Sequence, residues 1–204
     1  MPDNKLGKLE MHQEETGGQE KDNQLILTNM PLPPHITSFV DRWSSKRDQY
    51  GTEGLDHCFD RFFTSFVIYN FLYGWITQSE SYDFRGDRNS AIRVPKKYLG
   101  ATALHENKTL HQATSTIVKL IHDGMFTLKS REDDQVIMSK LNTNDPEQWS
   151  LGMMEVAYQV RCNTFHGAKN FEIQQRNILR PCITIIETVS MLILEKLKMT
   201  NKIE

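Results

Sequence analysis

The sequence predicts an all-α protein, an up-and-down helical bundle with a disordered N-terminal tail. Apolar residues recur three and four positions apart in the segments 55–76, 110–125 and 172–197, which is the period of an α-helix. Asp145-Pro146-Glu147 combines a capping residue, a first-turn proline and an acid at the positive end of the helix dipole. The 38% hydrophobic and 25% charged residues are an ordinary globular balance.

The domain organisation follows from length and from the polarity of the N-terminus. A chain of 204 residues can build one sizeable core. Residues 1–23 are polar and have little to bury, so residues 1–30 are predicted to be a disordered or loosely docked tail. Leu25-Ile26-Leu27 is either a short strand or an apolar segment that docks on the core. Residues 31–204 are predicted to form a single helical domain.

Charge and cysteine content favour a reduced cytoplasmic protein. The formal net charge is -2, which argues against sequence-independent coating of nucleic acid but leaves room for a small basic cleft. The three cysteines lie far apart and do not resemble a disulfide framework or a zinc site. The N-terminus has no apolar signal-peptide core, and no stretch is predicted to span a membrane. Neither a metal nor another cofactor is expected.

The first strong helix is predicted over residues 55–76, after a shorter helix from about Ile36 to Tyr50. Its buried stripe should include Asn70 among the aromatic residues Phe63, Phe66 and their neighbours. A buried amide needs hydrogen-bond partners, so Asn70 is predicted to be a structural lock or part of a site, the lock being favoured.

The remaining chain is predicted as follows. Residues 74–87 form a loop with a solvated polar cluster, and residues 110–125 form a helix. The pattern over 130–143 does not distinguish a strand from a helical turn. A helix runs from Asp145 to about His166, where Gly167 can end it. A last helix covers 172–197, and Pro181 kinks it or marks a start near Leu179.

Arg161 and His166 are the candidate chemical groups of this chain. Arg161 shares a helical stripe with the largely apolar Met154, Tyr158 and Phe165. A guanidinium there needs a carboxylate inside the fold, a second subunit or a phosphate. The alternative is that His166 only satisfies the last helix carbonyls and that Arg161 is a surface residue covering Tyr158.

The segment around these two residues resembles the signature of HEPN domains, an Arg and a His separated by four to six residues and often followed by Gly. The form Arg-x-Asn-x-Phe-His-Gly-x-Lys is similar to a bacterial subgroup that also carries a Phe/Tyr-Asn-x-Leu-Tyr segment on an early helix. The corresponding segments are Arg161 to Lys169 and Tyr69-Asn70-Phe71-Leu72-Tyr73. The resemblance covers roughly residues 55–197.

The resemblance implies a symmetric homodimer in which the motif helices of two subunits line one cleft. Active members resemble metal-independent ribonucleases that leave a 2′,3′-cyclic phosphate. His166 would then act as general base or acid and Arg161 would hold the phosphate. Asn163 would orient the histidine or the phosphate, and Lys169 would add positive potential at the rim. Tyr158 and Asn70 complete the predicted binding residues.

Two positions depart from the family pattern. Cys162 occupies a position that is usually polar, and Ala168 replaces the tyrosine of toxins silenced by nucleotide transfer. The leading hypothesis is a HEPN ribonuclease of the toxin or anti-phage defence type, with RNA as substrate and an antitoxin or other protein as regulator. One alternative is a non-catalytic module that binds RNA, nucleotide or a partner protein. Another is a scaffold in which Asn70, Arg161 and His166 only knit the bundle together.

Overall fold

The computed structural model describes residues 32–165 and 175–200. All regular secondary structure within these two ranges is α-helical, which confirms the predicted fold class. The eight helices are α1 (Pro34–Arg47), α2 (Leu55–Ser79), α3 (Asp87–Leu99), α4 (Ala101–His105), α5 (Lys108–His122), α6 (Arg131–Leu141), α7 (Pro146–Phe165) and α8 (Gln175–Thr200). The predicted tail, including Leu25-Ile26-Leu27, lies outside the described residues.

The core is built around α2, which packs against α1, α3, α7 and α8. α1 runs antiparallel to α2, because Phe39 stacks on Phe71 while Arg47 lies near Glu187, which binds Arg61. α8 runs parallel to α2. The Arg61 guanidinium joins the two helices through two hydrogen bonds to the Glu187 carboxylate, at 2.8 and 2.9 Å.

Helix starts agree with local chemistry where the sequence contains a clear signal. At α7, the carboxylate of Asp145 accepts a hydrogen bond from the backbone N–H of Glu147 at 2.9 Å. At α6, Ser130 accepts a hydrogen bond from the N–H of Asp133, and three acidic residues occupy the first turn. The segment 130–143, for which the sequence alone left strand and helix open, is therefore largely helical.

The segment 74–87 differs from the prediction at both of its ends. The segment 74–87 was predicted to be a loop, but α2 continues through Gly74 to Ser79. Part of the polar cluster that follows α2 is helical as well. α3 begins at Asp87, directly after Gly86, whose φ is 83°. Polar residues on the outer face of a packed helix resemble loop residues in a single sequence.

α7 reaches its place because Gly152 allows α6 to approach it closely. A Cβ atom at Gly152 would lie 2.8 Å from the Cβ of Lys140 and 3.1 Å from a methyl carbon of Leu141. The Lys140 ammonium then binds the Glu155 carboxylate on α7 at 2.7 Å.

α8 has the length and apolarity that a membrane span requires, although the sequence was expected to contain no such stretch. Its most apolar window has a mean hydropathy of 1.5, but 56% of that window is buried inside the protein. The helix packs on α2 and α5, as a core helix does. It is described from Gln175 onwards, so Pro181 lies inside it and a start near Leu179 is wrong.

Candidate functional site

Arg161 lies on α7 within a frame of three aromatic rings. Its guanidinium carbon is 5.7 Å from the ring centroid of Phe66, 5.6 Å from that of Tyr158 and 5.3 Å from that of Phe165. These distances permit cation–π attraction. The predicted stripe that Arg161 shares with Tyr158 and Phe165 is confirmed, and Phe66 of α2 completes it from the opposite helix.

The positive charge of Arg161 has no carboxylate partner among residues 32–165 and 175–200. None of the ion pairs in these ranges includes it, and its buried Nε has no hydrogen-bond acceptor there. Its one polar side-chain contact with another described residue is long, from Nη1 to the Sγ of Cys162 at 4.0 Å. Of the three partners expected for this guanidinium, a carboxylate within the fold is therefore not found in the described part of the chain.

Two tyrosines beside Arg161 donate hydrogen bonds to one carboxylate. The hydroxyl of Tyr73 on α2 donates to Oδ1 of Asp87 at 2.5 Å. The hydroxyl of Tyr158 on α7 donates to Oδ2 of the same residue at 2.9 Å. Asp87 is the first residue of α3, so this carboxylate joins three helices next to the aromatic frame.

Burial raises the pKa of both phenols further above neutral pH, at which an ordinary tyrosine is already protonated. Desolvation, and then the hydrogen bond to Asp87, raise the pKa of Tyr158 to about 12. The same two causes, in the same order, raise the pKa of Tyr73 above its usual range, while Arg161 acts in the opposite direction on both residues. The two hydroxyls therefore remain donors, which fixes the Asp87 carboxylate as an acceptor.

Asp87 is a site residue that the sequence did not indicate, since it was placed in a solvated loop. Two signals were present. Gly86 precedes an acidic residue at a possible helix start, and Tyr73 belongs to the aromatic segment that resembles the HEPN subgroup. Neither signal pairs Asp87 with Tyr158, which lies 71 residues further along the chain.

Asn163 is a buried structural clamp. Its side chain is 8% exposed, and its Nδ2 donates to the backbone oxygen of Leu128 at 2.5 Å. Its Oδ1 accepts a hydrogen bond from Nε2 of Gln159 at 2.9 Å. The N–H of Leu128 in turn donates to the buried carboxylate of Asp134. Asn163 thus ties the connection before α6 to α7, whereas its predicted catalytic role remains untested.

Asn70 does not form the buried lock that the sequence predicted. It is exposed on α2 and has no side-chain hydrogen bond to another described residue. The predicted stripe was displaced, because Phe63 is also exposed while Phe62 and Tyr69 are buried. Asn70 lies one turn from Phe66 on the same helix, so it remains on the side of α2 that carries the aromatic frame.

The other predicted residues of the motif, His166 and Lys169, lie outside the described residues. The histidines at 105 and 111 are half-buried against Trp149. The ring centroid of Trp149 is 4.5 Å from that of His111 and 5.3 Å from that of His105. In the described ranges, no three His, Cys, Asp or Glu residues form a group that could hold a metal ion.

The cysteines of the described ranges are free thiols. Cys58 and Cys182 are fully buried, and desolvation raises the pKa of each thiol. Burial therefore disfavours the reactive thiolate at both positions. Cys162 is half-buried beside Arg161.

Replacing Asn163 by alanine is expected to lower the free energy of unfolding by about 1–3 kcal/mol, because the buried carbonyl of Leu128 and the half-buried amide of Gln159 both lose a partner. The matched control is Asn70→Ala, an exposed asparagine, which should stay within about 0.5 kcal/mol of wild type. Urea unfolding followed by circular dichroism measures both. Equal losses for the two variants would contradict the clamp.

No family model, no curated protein and no solved structure matches this chain. Its functional interpretation therefore depends on the motif residues and on the geometry around Arg161.

Proposed function

We propose that the protein is a cytoplasmic, HEPN-type, metal-independent endoribonuclease of the toxin or anti-phage defence class, acting as a homodimer. The observation that carries the proposal is the state of Arg161. A guanidinium without a carboxylate partner in the described residues, held by three rings, is ready for an anionic ligand. Phosphate fits such a group because the planar fork of an arginine can bind two of its oxygens.

The proposed reaction is an internal transfer within RNA. The 2′-hydroxyl oxygen attacks the adjacent phosphorus and its proton passes to a general base. The bond from phosphorus to the 5′-oxygen breaks as that oxygen takes up a proton from a general acid. The products are a 2′,3′-cyclic phosphate and a 5′-hydroxyl. His166 is the proposed general base or acid. Arg161 stabilises the negative charge that grows on the phosphate oxygens, and Lys169 adds positive potential at the cleft rim.

Two hydrogen-bonded tyrosines hold the aromatic frame around Arg161 in place. Tyr158 forms part of the ring frame of Arg161, and its hydroxyl is held by Asp87. Tyr73 fixes the other oxygen of the same carboxylate. A fixed frame keeps the guanidinium in one place, and catalysis by charge stabilisation depends on such preorganisation.

The second candidate is a non-catalytic HEPN-like module that binds RNA, nucleotide or a partner protein through the same surface. The engagement of Asn163 favours it, because both ends of that amide are already used inside the fold. Cys162, at a position that is polar in the family it resembles, favours it as well. This module would bind its ligand through Arg161 without turnover. An antitoxin or another regulatory protein is the proposed partner in either case.

The test is RNA cleavage by the purified wild-type chain in excess EDTA. We expect cleavage of structured or unstructured RNA, with cyclic phosphate on one product and a 5′-hydroxyl on the other, both detectable by mass spectrometry. The control substrate carries a single 2′-deoxyribose at the cleaved position and should remain intact. Saturable RNA binding without any product would support the binding module, and cleavage of the deoxy substrate would contradict the proposed reaction.

A further inference from the structure

Five large hydrophobic side chains are exposed in the described ranges, and the aromatic one among them is Phe63 on α2. It is 40% exposed, while the others are methionines and a valine. It lies one helical turn before Phe66, whose ring belongs to the frame around Arg161. An exposed phenylalanine beside a cation without a carboxylate partner differs from a lone surface hydrophobe, because the two groups can bind one ligand together.

The ring of Phe63 is held in place on its inner side. Its centroid is 5.2 Å from that of Phe165, with the two planes tilted by 59°. Phe165 is also the nearest of the three rings to the Arg161 guanidinium, at 5.3 Å. Phe165 therefore contacts both groups and links the exposed phenylalanine to the cation.

The inner cluster makes Phe63 a rigid platform. Phe165 packs in addition against Phe59 and Phe62, with centroid separations of 6.2 and 6.1 Å. Such a cluster limits how far the Phe63 ring can retreat into the core. A fixed aromatic ring with an open side is the surface on which unpaired nucleobases stack in proteins that bind single-stranded nucleic acid.

We propose that Phe63 stacks on an unpaired base of the RNA whose phosphate is bound by Arg161, so that the site selects single-stranded over duplex RNA. The inference rests on the proposed function and names the substrate class of that site. Charge complementarity selects the ligand, because one molecule supplies both the anion for Arg161 and the π-face for Phe63. In a duplex the bases are stacked on one another and are not available to the ring.

The experiment measures binding rather than cleavage, using a fluorescent single-stranded oligodeoxynucleotide that lacks the 2′-hydroxyl. With the full chain, Phe63→Leu should weaken binding about 10-fold, since it keeps apolar bulk but removes the aromatic face. Phe63→Trp should bind at least as tightly as wild type. Met191→Ala, which removes another exposed apolar side chain on α8, should have no effect.

A series of oligonucleotides with one abasic position supplies the second readout. At one position of the series, loss of the base should weaken binding to wild type as much as Phe63→Leu does. The same loss should cost the Phe63→Leu variant nothing more, because the stacking partner is already gone. Sedimentation of each variant reports its oligomeric state, and melting curves report its folding.

The outcomes distinguish a failure of the stacking inference from a failure of the proposed ribonuclease function. Unchanged binding by Phe63→Leu, while wild type cleaves RNA and Arg161→Ala no longer binds the oligonucleotide, overturns the stacking role and leaves the ribonuclease standing. Dissociation of Phe63→Leu into monomers overturns it too, since the ring would then belong to an interface between copies. No binding and no cleavage by wild type overturn both proposals.

Discussion

Replacement of Arg161 by alanine is expected to reduce the rate constant of RNA cleavage by about 100- to 1000-fold, the usual loss when one preorganised charge stabiliser is removed. The reason is local. The described residues supply no other cation within the ring frame, so no other described side chain there can balance the charge on the phosphate. Single-turnover cleavage of a defined RNA measures the loss without interference from product release.

Arg161→Lys is the matched variant. It keeps the positive charge but loses the planar fork that binds two oxygens, so its rate should lie between those of wild type and the alanine variant. Equal rates for the lysine variant and wild type would show that charge alone is needed. Full activity of Arg161→Ala would contradict the proposed role of the guanidinium.

The melting temperature of the Arg161→Ala variant tests the scaffold hypothesis. If Arg161 only stabilises the helical bundle, its removal should lower the melting temperature markedly without a specific effect on ligand binding. If Arg161 serves a ligand, the protein should lose the ring contacts, worth about 0.5–2 kcal/mol, yet remain folded. A variant that melts like wild type rules the scaffold out.

Replacement of His166 by alanine is expected to lower the cleavage rate by about 100- to 10,000-fold, the range for loss of a general acid–base group. The fold and the dimer should persist, because the change removes one side chain next to the last described turn of α7. An imidazole titrates near neutral pH, so wild type should show a rate that depends on pH between about 5 and 8. The alanine variant should lose that dependence.

His122→Ala is the control for His166→Ala. His122 lies at the end of α5 with its side chain 80% exposed, beside Asp123, and has no place in the proposed site. Its removal should leave both the rate and the pH profile unchanged. Persistent cleavage by the His166 variant, with the same cyclic phosphate ends, would contradict a HEPN mechanism even if Arg161 proved essential.

Helix patterns were the most predictable part of this protein. The starts of α7 at Pro146 and of α2 at Leu55 followed from capping chemistry and from apolar spacing. The position of Arg161 among Tyr158 and Phe165 followed from the same spacing. These features depend on residues within one or two turns of each other, and such local relations are visible in a single sequence.

The two asparagines show where this type of reasoning fails. Several stripes of α2 fit helical spacing, because aromatic and aliphatic residues occupy most of its circumference. The stripe through Asn70 fits this spacing, but the helices that pack on α2 bury the neighbouring stripe instead. The resemblance implies a catalytic role for Asn163. Its buried position depends on Leu128, a residue 35 positions away whose carbonyl needs a donor.

By itself, the sequence determined the all-α class, the main helices and the motif that places Arg161 on an aromatic stripe, because these are local properties of the chain. Only the tertiary structure decided that Asp87 receives both tyrosine hydroxyls and that Arg161 meets no carboxylate in the described ranges. The same holds for the exposure of Phe63. Each of these facts depends on how separate helices are packed, and packing brings together residues that no local pattern connects.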